Sequence, residues 1–187
     1  MKASEVTPLL DPGATGLMVI DVQERFRPAI PEFASMVAGC VRLVRTFRIL
    51  GLPIFVTEQY PRGLGPTVPE IREALGEAAI PEKTVFSSFG CGGIPEALQA
   101  AGIRSVLVAG IETHVCVHQT VHDLLAAGYT VEVAADAVQS RHAADREIAL
   151  KRMERSGAVL TATEMAAFEL MRDARHPRFR EVQALFK

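Results

Sequence analysis

A carboxylate, an amine and a thiol stand in three separated segments of this 187-residue chain, each at the end of or beside a short apolar run. Asp21 closes residues 16–21, Lys83 lies in residues 82–86, and Cys116 follows the run 105–109 at the entry to an amphipathic stretch, 115–127. These types suit nucleophilic chemistry. A carboxylate beside a thiol can take its proton, and a lysine can hold that carboxylate ionised while stabilising negative charge on a substrate. A thiol in the first turn of a helix also meets N–H groups without intrahelical partners, and the positive end of the helix dipole favours thiolate. Each residue alone has a plainer role: Cys116 as a small buried hydrophobe, Asp21 as a turn cap, Lys83 as a surface cation.

Bringing three such residues together requires a particular scaffold. Residues 16–21, 53–57, 82–86, 105–109, 130–135 and 158–161 read as strands, and several are continuously apolar, as strands buried on both faces are. Between them, Met36, Cys40, Leu43, Phe47 and Leu50 recur at helical spacing. Further helical stretches follow at 71–75, near Pro95, at 115–127, at 144–156 and at the carboxyl end. This alternation predicts one α/β domain, a doubly wound, Rossmann-like parallel sheet with helices on both faces. In such sheets ligands bind beyond the carboxyl ends of the strands, where loops can bring Asp21, Lys83 and Cys116 to one crevice. Residues 1–15 read as an extended leader and 16–187 as the domain. The Pro- and Gly-rich segment 58–70 is long for a connector and suggests a pocket wall or a subunit contact.

Composition narrows the partners. A net charge of −2 with interspersed signs leaves no basic footprint for nucleic acid or an anionic membrane. No run is apolar enough to span a bilayer, and the first residues lack a secretory h-region. Cys40, Cys91 and Cys116 form no CxxC pair, which suits a reducing cytoplasm. A small-molecule substrate is the expected partner.

The segments LMVIDVQERF (17–26), KTVFSSF (83–89), VAGIETHVCV (108–117) and DAVQSR (136–141) resemble, in order and spacing, the isochorismatase-like cysteine hydrolases. The stretches VTEQYPRGLGPTVPE (56–70) and GIETHVCVHQTVHDLL (110–125) are most similar to the isochorismatase domain-containing subgroup. The resemblance implies an Asp21, Lys83 and Cys116 triad, a cis peptide at Ile111-Glu112, an oxyanion hole from the N–H groups of Glu112 and Cys116, and a homo-oligomer. Nicotinamidases of this family carry a metal-binding Asp-x-His after the second strand. Thr57-Glu58-Gln59-Tyr60-Pro61 has neither residue, so neither metal nor cofactor is expected. The resulting expectation is hydrolysis of a small amide-like substrate through a thioester on Cys116. The alternatives are an isochorismatase-type vinyl-ether hydrolase, in which Asp21 supplies a proton without the thiol, and an interaction protein on the same scaffold.

Phe26, Tyr60, Phe86 and Phe89 are candidate pocket walls, and Gln23 and Glu58 candidate substrate contacts. His114, His118 and His122 recur every fourth residue but lack an HExxH pattern, which favours surface or interface histidines over a metal site. Gly90-Cys91-Gly92-Gly93 lacks the Lys and Ser/Thr of a phosphate loop and reads as a flexible turn with a reactive thiol. Arg42, Arg45 and Arg48 read as a solvated helix face, Cys40 as core, and Phe179, Leu185 and Phe186 as apolar surface available to a subunit contact.

Overall fold

The computed structural model describes residues 9–187. Its six strands are β1 (Thr15–Ile20), β2 (Ile54–Gln59), β3 (Glu82–Lys83), β4 (Ser105–Ile111), β5 (Thr130–Gln139) and β6 (Val159–Thr161). They form one all-parallel sheet in the order β3-β2-β1-β4-β5-β6. The order reverses at β1, so a crevice opens between the carboxyl ends of β1 and β4.

Eight α-helices cover the sheet among the described residues: α1 (Phe33–Leu50), α2 (Pro61–Leu64), α3 (Pro69–Leu75), α4 (Ile94–Ala100), α5 (His118–Ala126), α6 (Ala143–Arg155), α7 (Thr163–Met171) and α8 (Phe179–Gln183). Strand alternation divides the core. Leu17, Val19, Leu107, Ala109 and Ala134 pack with Leu43 and Phe47 of α1 and Leu170 of α7. Met18, Ile20, Val108, Val131 and Val133 face the other way, against Leu98 of α4, Leu124 of α5 and Met153 of α6. The doubly wound architecture expected from the sequence is therefore present.

The boundaries move where side chains demand it. The expected strand at 82–86 stops at Lys83 because the carbonyls of Val85 and Phe86 curl inward to accept from Lys83 Nζ. The helix expected from residue 115 begins as a π-helical turn, Thr113–Val117, in which Val117 N donates to Glu112 O at 3.2 Å, and α5 follows. The long loop contains α2.

Of the leader, residues 1–8 lie outside the described residues. Leu10 is buried, and its carbonyl accepts from Arg172 Nη2 at 2.6 Å. The carboxyl-terminal aromatics are satisfied within the chain: Phe168 meets the rings of Phe179 at 5.9 Å and Phe186 at 6.3 Å. Arg42 is not purely solvated, since its guanidinium lies 5.8 Å from the Phe186 ring.

Candidate active site

The end of β1 sets the first piece. Asp21 has φ 52, a left-handed conformation that Asp tolerates better than most residues, and its N–H donates to Thr57 O at 3.1 Å. β1 and β4 approach closely enough beside it that only glycine fits at Gly110: a Cβ there would sit 2.2 Å from the Ile20 carbonyl oxygen.

The Asp21 carboxylate is enclosed. Lys83 Nζ donates to its Oδ2 at 2.6 Å, with both side chains 1% exposed. Thr57 Oγ1 donates to its Oδ1 at 2.8 Å. Lys83 Nζ also donates to Gln59 Oε1 at 2.8 Å, Phe86 O at 2.8 Å and Val85 O at 3.3 Å. Burial raises the Asp21 carboxyl above its usual range, while the charge and hydrogen bond of Lys83, then bonds with Thr57 and Cys116, oppose the rise.

Cys116 lies in the π-helical turn and is buried. Its thiol is pushed up to about 12, first by burial and then by the charge of Asp21, with Lys83 opposing. Burial and the Asp21 charge thus oppose the thiolate that a position at a helix entrance favours. A thiol of this kind needs a base at the moment of reaction, and Asp21 is the carboxylate that perturbs it.

A second layer went unread in the sequence. Thr57, Ser88 and Thr120 are fully buried, and their bonds connect the carboxylate to the turn that holds the thiol. Thr57 Oγ1 meets Ser88 Oγ at 2.8 Å, Ser88 N donates to Thr120 Oγ1 at 2.8 Å, and Thr120 Oγ1 donates to Cys116 O at 2.6 Å. Thr57 lies on β2, Ser88 on the loop after Lys83 and Thr120 on α5, so only Thr57 and Thr120 stand out as hydroxyls among apolar neighbours.

Among known proteins, the family model described as Isochorismatase domain matches residues 15–165. The chain belongs to the isochorismatase domain family. It is similar to Isochorismatase domain-containing protein 1 of Danio rerio, at 43% identity over 95% of this chain and 62% of that protein, so it spans less than two thirds of that relative's length. A solved structure named as MAR1 ribonuclease from Caenorhabditis elegans matches with TM-score 0.89 and 42% identity, covering 95% of this chain and 92% of that one. YcaC from Pseudomonas aeruginosa, described with hexane-2,5-diol and covalent acrylamide, matches with TM-score 0.90 and 25% identity over 97% of this chain and 93% of that one.

In this isochorismatase-family chain the other expected residues have varied placements. The Ile111-Glu112 peptide is cis. The Glu112 side chain is buried and accepts from Arg141 Nε at 2.9 Å and Arg141 N at 3.2 Å. Gln23 is fully buried and bound to backbone on every side: Nε2 donates to Gln59 O at 3.0 Å and Gly65 O at 2.6 Å, and Oε1 accepts from Gln59 N at 2.8 Å. Glu58 accepts from Thr67 N at 2.6 Å and Arg72 Nη2 at 3.2 Å. Tyr60 and Phe86 are about half exposed, at 54% and 51%. Phe26 packs on the α1 side of the core, and Phe89 packs on the α5 side and meets the Tyr129 ring edge-on at 6.0 Å.

Cys91 is buried, and burial raises its thiol. His114 Nδ1 lies 3.0 Å from Ser140 Oγ, and the His118 and His122 rings tilt together at 4.4 Å, half-buried rather than on the open surface. Among the described residues no group of three or more His, Cys, Asp or Glu side chains is arranged to hold a metal ion. No described helix is long and apolar enough to cross a membrane. A cavity of about 510 Å³ lined by Ile103, Ser105, Gly128 and Thr130 opens at the amino-terminal edge of the sheet, the side away from Asp21 and Cys116.

Proposed function

We propose that this chain is a cysteine-dependent hydrolase that cleaves the C–N bond of a small amide-like substrate through a thioester on Cys116. The observation that carries the reading is the enclosed Asp21 carboxylate, gripped by Lys83 and Thr57, coupled to a thiol that is protonated at rest. Asp21 takes the Cys116 proton as the sulfur attacks the carbonyl carbon. The oxyanion then forms against the N–H groups of Glu112 and Cys116. Asp21 passes its proton to the leaving amine, the C–N bond breaks, and the thioester remains. Water gives a proton to Asp21 and attacks the thioester, the C–S bond breaks, and the thiolate recovers its proton from Asp21. Lys83 holds Asp21 throughout. Tyr60 and Phe86 form the rim, with Phe26 and Phe89 behind the walls. Gln23 and Glu58 act on the substrate indirectly, by fixing the segment between them and Thr67.

A second reading has a specific observation in its favour. Burial raises the Asp21 carboxyl, which suits a proton donor as well as a base, and vinyl-ether hydrolysis needs only the donor. The ribonuclease named in the Caenorhabditis elegans structure supplies a third activity to assay. Against it stand the net charge of −2 and a Lys83 ammonium already surrounded by four acceptors. The family resemblance adds a homo-oligomer, read by sedimentation.

The test is turnover and intact mass for wild type, Cys116→Ala and Asp21→Asn on a panel of small amides, isochorismate and a structured RNA. Amide turnover with a substrate-derived adduct on Cys116, lost in both variants by about 10²-fold or more, is the expected result. Activity on isochorismate that survives Cys116→Ala selects the vinyl-ether reading, and RNA cleavage that survives it removes the thiol mechanism.

A further inference from the structure

We propose that Thr57 is a positioning residue for the base, and that Ser88 fixes the direction in which Thr57 donates. The inference rests on the reading of Asp21 as the base for Cys116. It starts from the hydrogen count of a hydroxyl. Thr57 has one hydrogen to give, and it goes to Asp21 Oδ1 at 2.8 Å. The 2.8 Å contact between Thr57 Oγ1 and Ser88 Oγ must then run the other way, with Ser88 donating. The order Ser88 to Thr57 to Asp21 is thereby set, and each donor polarises the next.

This arrangement does two things. Lys83 on Oδ2 and Thr57 on Oδ1 hold the carboxylate from both oxygens, so it cannot rotate away from the thiol. A donor to the charged form also favours that form, which offsets part of the cost of keeping Asp21 ionised in a buried site. Ser88 extends the same structure toward the nucleophile. Its backbone N–H binds Thr120 Oγ1, whose hydrogen binds the carbonyl of Cys116 at 2.6 Å. Base and nucleophile are thus referred to one buried residue on the loop after Lys83. All three hydroxyl residues are fully buried, so water does not compete for these bonds.

The experiment is the rate of Cys116 alkylation by iodoacetamide against pH, with adducts peptide-mapped to separate Cys116 from Cys40 and Cys91, on the full chain. The acid limb of this profile follows ionisation of the base. In Thr57→Val, which keeps the shape and removes the donor, the limb is expected to move up by about one pH unit. Thr57→Ser restores it, and Ser88→Ala, which leaves Thr57 a weaker donor, moves it part of the way. A loss of packing alone would not shift a pH limb or be rescued by serine. A Thr57→Val profile superimposed on wild type, or a Thr57→Ser profile that stays shifted, overturns the proposal. If Thr57→Val does not fold, Ser88→Ala decides, and an unmoved limb there overturns it. Asp21→Asn separates the two levels. If it removes the limb while the Thr57 variants leave it in place, only the positioning role fails. If Asp21→Asn leaves the profile of wild type, the base reading fails with it.

Discussion

Two carboxylates lie inside this molecule with nearly the same exposure and opposite surroundings. Asp21, 1% exposed at the end of β1, has donors on both oxygens. Glu132, 3% exposed near the start of β5, has an Oε2 without a hydrogen-bond partner among the described residues. Burial pushes both acids up. At Asp21 a lysine and hydrogen bonds oppose it, whereas at Glu132 the charge of Glu169 adds to it and Arg172 opposes only weakly, leaving the carboxyl at about 7. Burial alone therefore does not mark a working group. The site at Asp21 is marked by complete, directed donation, and Glu132 is an acid that folding leaves mostly without answer.

Breaking the richer site has the largest expected effect. Lys83→Met leaves the Asp21 charge buried without its ion-pair partner, which costs about 3–5 kcal/mol in urea unfolding at neutral pH. Loss below about 1 kcal/mol would mean that the two acids differ less than their geometry says. The converse change at Glu132 should help. Its folded carboxyl titrates at about 7 against an ordinary 4.5, so the folded state holds the proton more tightly than the unfolded state. Stability is therefore highest below the ordinary value, falls as pH rises from about 4.5 to 7, and stays low above that. Glu132→Gln should abolish that fall and gain about 2 kcal/mol near pH 8. Thermal unfolding at pH 5 and pH 8 reads both parts, and an equal shift at the two pH values would defeat the assignment. Arg141 falls between the two. It is half exposed but pairs with buried Glu112 at 2.9 Å, and its backbone N–H stays on the same oxygen, so Arg141→Gln should cost about 1–3 kcal/mol in the same assay, less than Lys83→Met.

The two acids also differ in how far the sequence discloses them. Asp21 is legible because a carboxylate ending an apolar run stands out, and because Lys83 and Cys116 recur at equivalent positions of a fold that the alternation of strands and helices predicts. Glu132 is not. A glutamate within an apolar strand reads as its solvated side, but β5 lies between β4 and β6 with helices on both faces, so residues 131–134 are all buried. The hydroxyls of Thr57, Ser88 and Thr120 are hidden for a related reason. Three of their four bonds join residues 31 to 36 positions apart, and no local pattern encodes such pairing; only the Thr120 bond to the Cys116 carbonyl is local, four residues back along the helix. The state of the Cys116 thiol is likewise not encoded locally, since a helix entrance argues for thiolate while burial and the charge of Asp21, distant in sequence, push the thiol up.

Gln23 has a consequence for how this scaffold can be varied. Its amide grips Gln59 and Gly65, the two ends of the short segment that carries Tyr60 and α2, so that segment is a closed bracket fastened from beneath. Within the bracket Tyr60 N donates to Lys83 O at 2.9 Å and a Cβ on Gly63 would sit 2.7 Å from the Tyr60 ring, which leaves Arg62 and Leu64 as the positions with room to change. On the proposed reading of Tyr60 as rim, libraries aimed at new substrates belong at Arg62 and Leu64, where side chains can vary without loosening the bracket.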